Sequence, residues 1–478
     1  MKTFKSVKLL CLIICLFVVF GGALIINQNK SVAVADDIGG IYADIDAYLS
    51  DACKKAHFPA MSVTIVDKNS VLFSMTYGDY ISTDTPFLLG SVSKSFTALC
   101  VMQLAEQGKI DLNEKLAYYL PDATDGDRIT ILQLLNHSGG LGEHQNLSNY
   151  KIVGKQGVHQ YANVNYSLLG KVIEAVSGTS YEEYVAKNVF EPLSMHKSAA
   201  TYEQAKQNGL IDGYENWFGV NTKTKPKYPK SDDAWITVPA GYLSSSTADL
   251  GRYLQMYLNG GEGIISQESI DQMFYNGVEV KGDIPYKYTM GWTLTNEPLT
   301  QPALRHSGLV ETGMSAIYIL PESGIGIAVA VNTNDYFVGK DMMDRIDWSI
   351  ALMLMGEKPN EIGKSEYLTR HFLYDLAYFA FFAVSILPLC LMGVFKKRLA
   401  KGRLSIKIVL LVLLHLILPI IILLLPIMFF ATPLWVVQAF VPDMFTAIIV
   451  SSCLLFIGGI TKSILLISDK VKRKTKCI

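Results

Sequence analysis

The chain has 478 residues, of which 50% are hydrophobic, and its formal net charge at pH 7 is −1. A mean hydropathy of +0.27 is too high for an ordinary soluble enzyme. The near-zero net charge gives no sign of a nucleic-acid partner, and we expect none. The apolar excess lies at the two ends of the chain, which indicates membrane-directed segments on either side of a soluble region.

The first 35 residues have the pattern of an export signal. Three lysines precede an apolar run at 9–26, and Ala33-Val34-Ala35 resembles a signal-peptidase site. We therefore predict a signal peptide at 1–35. An uncleaved signal anchor is the competing interpretation, because the apolar run is long enough to span a bilayer.

The next elements are predicted from hydrophobic periodicity. A helix is predicted near 41–55, and a hairpin follows with strands at 62–66 and 71–75. The hairpin turns around Lys68-Asn69. Strands joined by so short a turn must be antiparallel.

Ser91 and Lys94 stand where a glycine-containing turn becomes an apolar helix. Apolar residues recur at helical spacing as far as Gly108, so Ser91 is predicted in the first helical turn, on one face with Lys94. A serine hydroxyl needs a neighbouring base to act as a nucleophile, and a buried lysine can serve when desolvation favours its neutral form. The spacing alone is not specific, because it recurs at Ser148 and Ser194, where no apolar helix begins.

Two further motifs follow along the chain. A Tyr-Ala-Asn sequence at 161–163 lies just ahead of a helix pattern, and a His-Ser-Gly sequence at 306–308 lies in a strand pattern. Strands are then predicted near 315–320 and 325–331, and a helix near 339–355.

The order Ser-x-x-Lys, Tyr-x-Asn and His-x-Gly closely resembles the penicillin-recognising serine hydrolases. The similar branch holds class C β-lactamases, D-alanyl-D-alanine carboxypeptidases, penicillin-binding proteins, D-aminopeptidases and related esterases. The resemblance covers roughly Ile41 to Leu354, and the stretches at 129–141 and 239–254 are also similar to that family.

The resemblance implies a role for each residue of the first two motifs. Ser91 would be the acylated nucleophile, and Lys94 would accept its proton. Tyr161 would pass a proton to the leaving group and later help to activate water. Asn163 would hydrogen-bond the substrate amide.

The third motif would form the opposite wall of the site, lined by His306, Ser307 and Gly308. The resemblance implies an oxyanion hole made by the backbone N–H groups of Ser91 and Leu309. His306 stands where many lactamases have lysine, which removes a fixed positive charge and lowers the expectation of efficient β-lactam hydrolysis. The bulky Leu309 is expected to narrow access beside the oxyanion hole.

The implied fold class is α+β, of the β-lactamase and transpeptidase type. We expect an antiparallel sheet flanked by helices, together with a mostly helical lobe from the Ser91 helix to about Ile236. The active site is expected between these lobes. The hydrolase domain is predicted at 36–370.

Three apolar runs close the chain at 372–395, 406–431 and 444–467, and each is long enough to cross a bilayer. Basic residues cluster between the first two runs and after the third, whereas 432–443 contains no lysine or arginine. Because basic loops stay cytoplasmic, we predict membrane helices within 371–468, a cytoplasmic tail at 469–478 and an extracytoplasmic hydrolase domain. A buried helical hairpin is the alternative to membrane helices.

The sequence predicts a membrane-bound serine hydrolase that cleaves an amide or ester beside a D-configured residue. Cysteines and histidines lack metal-ligand spacing, so no metal or other cofactor is expected. The expected partners are a peptide or ester substrate at the cell envelope, the lipid bilayer, and β-lactams as candidate acylating ligands.

Two alternatives stay open. The three membrane helices resemble the branch of the colibactin-maturing peptidase, which removes an N-acyl-D-amino-acid cap from an exported nonribosomal peptide. The other alternative is a non-catalytic penicillin-binding or cell-wall sensor protein.

Overall fold

The computed structural model describes four stretches of the chain, which are residues 38–79, 81–282, 284–401 and 408–475. They form two compact units. The first unit contains residues 39–371 together with 423–446, and the second contains the described parts of 372–422 and 447–478. The predicted export signal at 1–35 lies outside the described residues.

Most strands of the first unit belong to one antiparallel sheet. The strands are β1 Ala60–Asp67, β2 Val71–Gly78, β3 Phe87–Leu88, β4 Gly213–Trp217, β5 Val220–Thr224, β6 Ser244–Ser245, β7 Val278–Val280, β8 Tyr286–Thr289, β9 Trp292–Thr295, β10 Ala303–Val310, β11 Gly313–Leu320, β12 Ile325–Val331 and β13 Thr333–Asn334. Eight of them form the main sheet in the order β2-β1-β12-β11-β10-β9-β8-β7. Smaller sheets have the orders β13-β4-β5 and β3-β6.

Helices cover both faces of the main sheet. The helix Thr247–Leu258 packs against β1 and β12 on one face. The helices Ile38–Lys55 and Gly339–Leu354 share a core with alternate residues of β1, β11 and β12 on the other face. Because both faces are covered, β11 is buried along its whole length, and it is one of the most apolar strands of the sheet.

The second lobe of this unit is built around the helix Ser93–Glu106, whose residues from Ser93 to Leu104 are all buried. A helix that is buried on every side is the centre of a lobe. The other helices of the unit, apart from those on the sheet, are Leu116–Tyr119, Ile131–Leu135, Asn163–Ser177, Tyr181–Val185, Tyr202–Gln207, Gln267–Tyr275 and Leu434–Phe440. Tighter or wider helical turns occur at Gly90–Val92, Ala186–Phe190 and Val238–Tyr242.

The predicted α+β architecture is confirmed, with one difference. The segment before Ile236, expected to be mostly helical, contains the hairpin of β4 and β5. Its two turn residues, Phe218 and Gly219, both have positive φ, which is the backbone of a tight two-residue hairpin. The polar, largely exposed residues of β5 show no apolar alternation, so no pattern in the sequence predicted a strand there.

Within the part of the chain that the structure describes, three C-terminal stretches are long and apolar enough to cross a membrane, at Glu366–Ala400, Val409–Met428 and Pro442–Lys472. They coincide with the three predicted runs. The helices of this part are Glu366–Cys390, Met392–Ala400, Ile408–Val412, Leu418–Phe430 and Pro442–Thr475, with a π-helical turn at Leu413–Ile417.

Candidate active site

Ser91 lies in the short helical turn Gly90–Val92, immediately before the helix Ser93–Glu106, and close to its predicted place in the first helical turn. The turn packs directly on β10. Gly90 has a φ of +54°, and a Cβ atom there would lie 2.3 Å from the backbone nitrogen of Leu309. Only glycine fits this position, because both the positive φ and the close approach exclude a side chain.

Lys94 is fully buried, and its Nζ lies 3.1 Å from the Oγ of Ser91. Nζ also donates to Oδ1 of Asn163 at 2.8 Å and to the carbonyl of Ala240 at 2.6 Å. Burial holds the pKa of Lys94 well below its usual range. A neutral amine can make both donated bonds and still present its lone pair to the Ser91 hydroxyl.

Tyr161 and Asn163 flank the start of the helix Asn163–Ser177, as predicted. The ring centroid of Tyr161 lies 4.9 Å from Nζ of Lys94, and Tyr161 lines the same cavity as Ser91. Burial raises the pKa of Tyr161, and the nearby Ser91 side chain only partly offsets that effect. Tyr161 is therefore a protonated phenol at neutral pH, within reach of both other groups.

The residues of the third motif occupy β10. His306 is buried, and its Nδ1 donates to the carbonyl of Ser307 at 2.8 Å. Its Nε2 then accepts from the hydroxyl of Tyr288 at 3.1 Å. Burial lowers the pKa of His306 to about 3. His306 is accordingly a neutral wall residue at neutral pH.

The pairing register of β10 makes the backbone N–H of Leu309 point toward the edge of the strand that β9 leaves unpaired. β10 and β11 are joined by a two-residue turn that pairs Val310 with Gly313. Such a turn is closed by a hydrogen-bonded pair, so the N–H groups of alternate residues, including Leu309, point away from β11. β9 pairs with β10 only as far as Arg305, which leaves the edge beside Leu309 without a β9 partner.

His137 is a residue of the site that none of the three sequence motifs includes. It is fully buried, and its Nδ1 accepts from the backbone N–H of Ala162 at 3.3 Å and from the Asn165 side chain at 2.8 Å. Its ring centroid lies 4.2 Å from that of Tyr161. His137 thus holds the backbone between Tyr161 and Asn163. Its place in the family-like stretch 129–141 was the only available signal.

A cavity of about 540 Å³ opens beside Ser91 and Tyr161. Its wall includes His306, Ser307, Gly308 and Leu309, so the structure brings every predicted site residue except the buried Lys94 and Asn163 to this cavity. Those two lie directly behind Ser91.

A second part of the cavity wall carries paired charges. Arg305 binds Asp344 at 2.6 Å and Asp347 at 2.8 Å, and Lys340 also binds Asp344 at 2.6 Å. The hydroxyl of Tyr318 donates to Asp347 at 2.6 Å. Sequence patterns gave no indication of this cluster. Among the described residues, no group of three or more His, Cys, Asp or Glu side chains could hold a metal ion.

The comparison with protein-family models decides the family. The model described as Beta-lactamase matches residues 45–351, which is more than half of the chain. The chain belongs to the beta-lactamase family. The resemblance of the three motifs is thereby confirmed, whereas the colibactin-type branch stays a prediction.

A curated relative is the Protein flp of Staphylococcus aureus (strain NCTC 8325 / PS 47). It is 26% identical over 330 residues, which cover 62% of this chain and 64% of the relative. The chain therefore spans slightly less than two thirds of that protein's length.

Two solved structures share the fold of this beta-lactamase-family chain. The octameric penicillin-binding protein homologue from Pyrococcus abyssi is 27% identical, with a TM-score of 0.59, and the match covers 69% of this chain and 80% of that one. A class C beta-lactamase in complex with cefoxitin is 18% identical, with a TM-score of 0.56, and the match covers 67% and 99%.

Proposed function

We propose that this protein is a membrane-bound serine hydrolase that acts through an acyl-enzyme at Ser91. The observation that carries the proposal is the environment of Lys94, a buried amine with no carboxylate among its contacts, whose Nζ lies 3.1 Å from Oγ of Ser91. Such a group is a base at neutral pH, since its ammonium form is destabilised by burial.

Acylation would begin with proton transfer from Ser91 to Lys94. Ser91 Oγ forms a bond to the substrate carbonyl carbon, and negative charge develops on the carbonyl oxygen. The backbone N–H groups of Ser91 and Leu309 are the proposed donors to that oxygen. The bond from carbon to the leaving nitrogen or oxygen then breaks.

Tyr161 would complete both half-reactions. It gives its proton to the leaving group and is reprotonated from Lys94. In deacylation a water molecule adds to the acyl carbon and loses a proton to the same two residues. Ser91 Oγ then leaves and takes that proton, so each cycle consumes one water.

In this proposal the residues around Ser91 determine which substrates can bind. Oδ1 of Asn163 is engaged by Lys94, so its NH2 group is the part that can donate to a substrate carbonyl. The neutral His306, with Ser307, offers no fixed positive charge to a substrate carboxylate. An amide or ester beside a D-configured residue follows from the motif resemblance, and β-lactams are expected to acylate Ser91.

Membrane placement is the second part of the proposal. Five basic residues lie between the apolar runs 372–395 and 406–431, and five follow the run 444–467. These are Lys396, Lys397, Arg398, Lys401, Arg403, Lys470, Lys472, Arg473, Lys474 and Lys476. The positive-inside rule assigns these segments to the cytoplasm and the hydrolase domain to the outer face. Three such helices after the catalytic domain also favour the removal of an N-acyl-D-amino-acid cap from an exported peptide as a second candidate.

The decisive experiment is covalent labelling of the full-length protein. A serine-directed fluorophosphonate and a fluorescent penicillin should both label wild type, with the adduct on Ser91 by peptide mass analysis. Ser91→Ala should remain folded and unlabelled, because the loss of one small hydroxyl creates no large cavity. Labelling of Ser91→Ala at the wild-type rate would disprove the nucleophile, and permanent acylation without turnover would favour the sensor.

Topology is tested separately with reporters. A reporter that is active only in the cytoplasm should work when fused after Ile478 and fail when fused near Gly363. The opposite pattern would contradict the proposed orientation. Mass analysis of extracytoplasmic peptides, with and without the gene, would then identify the substrate.

A further inference from the structure

The segment at 431–443, which connects the second and third apolar helices, packs against the hydrolase domain within the same compact unit. It contains the short helix Leu434–Phe440, whose residues Val436, Val437 and Phe440 are buried. A connection between two membrane helices need not touch a neighbouring domain. Here it forms an ordered interface.

Trp235 is at the centre of this interface. Its ring contacts Trp435 edge-to-face with centroids 5.0 Å apart, and Phe440 in the same manner at 6.1 Å. Its indole N–H donates to the carbonyl of Glu143 at 2.8 Å. His144 completes the contact, since its Nε2 donates to the carbonyl of Ala431 at 3.1 Å.

The far end of the segment is also held. The side-chain amide of Asn334 donates to the carbonyl of Phe440 at 3.3 Å, and the backbone N–H of Phe218 donates to Asp443 at 3.3 Å. Two separate surfaces of the hydrolase domain therefore hold the 431–443 segment, one near each of its ends. The interface does not depend on a single contact.

Two sets of contacts connect this interface to the proposed catalytic residues. The loop that carries Glu143 begins at His137 and Ser138, whose carbonyls accept from the backbone N–H groups of Gln160 at 2.7 Å and Gly157 at 2.9 Å, just before Tyr161. In the other set, Ile236 follows Trp235 and packs against Gly241, next to the Ala240 carbonyl that binds Lys94. A shift of Trp235 would disturb both ends of the proton relay.

We propose that Trp435 is a positioning residue for the Ser91 site, acting through Trp235. The connection between two apolar helices would thereby form part of the support of the catalytic cleft. The inference rests on the proposed function, because its main consequence is the rate of Ser91 acylation. Trp435 touches none of the reacting groups, so it acts only through the residues that it holds.

The test compares Trp435→Ala with Gln438→Ala in the full-length protein purified in detergent. Gln438 is exposed on the same short helix and serves as the matched control. Trp435→Ala should slow fluorophosphonate labelling of Ser91 by about tenfold to a hundredfold, the usual effect of slightly misplaced catalytic groups. Gln438→Ala should label at the wild-type rate.

A double-mutant cycle with Trp235→Ala gives the sharper result. If Trp435 acts through Trp235, the double variant should label no more slowly than the slower single variant. The proposal would be overturned if Trp435→Ala and Gln438→Ala labelled Ser91 at equal rates. It would also be overturned if the losses in labelling rate of the two single variants multiplied in the double variant.

Hydrogen exchange separates this inference from the proposed function. The amides of residues 142–149 should exchange faster in Trp435→Ala than in Gln438→Ala, whatever the chemistry at Ser91. Unchanged exchange would refute the positioning role even if labelling changed. Failure of wild type to label, with faster exchange in Trp435→Ala, would refute the proposed function and leave the structural coupling in place.

Discussion

Two groups of ionisable side chains lie beside β10. One is near His306 and the other at Arg305, and because successive residues of a strand alternate, the two groups lie on opposite faces of β10. Near His306, Lys94 is surrounded by neutral partners, which are a hydroxyl, an amide and a carbonyl. At Arg305, a buried cation is bound by two carboxylates. Both are basic side chains removed from water, but Lys94 has only neutral partners, whereas Arg305 has two carboxylates.

The pKa directions follow from the partners. No carboxylate compensates Lys94 for the loss of water, so burial lowers its pKa and favours the neutral amine. Burial also lowers the pKa of Arg305, but Asp347 and Asp344 more than reverse this effect, so the guanidinium stays charged. Burial raises the pKa of Asp347 to about 6, which leaves it ionised at neutral pH. An uncompensated buried charge is a sign of chemistry, and a compensated one a sign of structure.

The strongest test of this contrast is Lys94→Ala. We expect a loss of at least about a thousandfold in kcat/KM, close to the loss for Ser91→Ala, because nucleophile and base act as a unit. The double variant should be no worse than either single variant. Steady-state kinetics measure this, and a loss below tenfold would mean that another group is the base. Tyr161→Phe should show a milder defect.

Asp347→Asn should produce the opposite pattern. It leaves Arg305 with one carboxylate in a buried position, and we expect a loss of about 3 kcal/mol in the free energy of unfolding. Denaturant unfolding of the full-length protein measures this. The dependence of kcat/KM on pH should not move, and a displaced pH profile would show that the two clusters are not independent.

Asn163→Asp would give Lys94 a carboxylate partner, as Arg305 already has. A carboxylate 2.8 Å from Lys94 should raise the lysine pKa back toward its usual range, because it stabilises the ammonium form. Since only the neutral amine is active, kcat/KM should fall at neutral pH, and its acidic limb should move to higher pH. A reduced rate with an unmoved limb would indicate that Asn163 acts on substrate alone.

The next prediction concerns a substrate carboxylate beside the scissile bond. His306 is neutral and Arg305 is already neutralised by its carboxylates, so a carboxylate beside the scissile bond finds no available cation among these wall residues. Amidated substrates should exceed their free-acid partners in kcat/KM by tenfold to a hundredfold, or about 1.5 to 3 kcal/mol. A strong preference for the free acid at pH 7.5 that persists in His306→Ala would identify a different cation.

The smallest expected effect concerns the support of the first cluster. His137→Phe keeps a ring but removes the acceptor for the Ala162 N–H, and we expect kcat to fall by roughly tenfold, the cost of a lost hydrogen bond. His137→Asn, whose Oδ1 can replace Nδ1, should recover most of that loss. Equal kcat values for the two variants would assign His137 a packing role only.

Much of the fold was predictable because it depends on local patterns. The hairpin of β1 and β2, the strands β11 and β12 and the helix Gly339–Leu354 follow from periodicity and turn residues, and they lie within a few residues of their predicted bounds. The hairpin of β4 and β5 was missed because its polar second strand is stabilised by pairing rather than by burial of an apolar face.

The sequence by itself predicted which residues carry chemistry, since three ordered motifs indicate Ser91, Lys94, Tyr161 and the His306 wall. Only the tertiary structure decided how those groups are tuned. The neutral surroundings of Lys94, the acceptor role of His137 and the salt bridges of Arg305 all join residues more than twenty positions apart. Burial and charge compensation depend on such long-range neighbours, and no local pattern in a sequence records them.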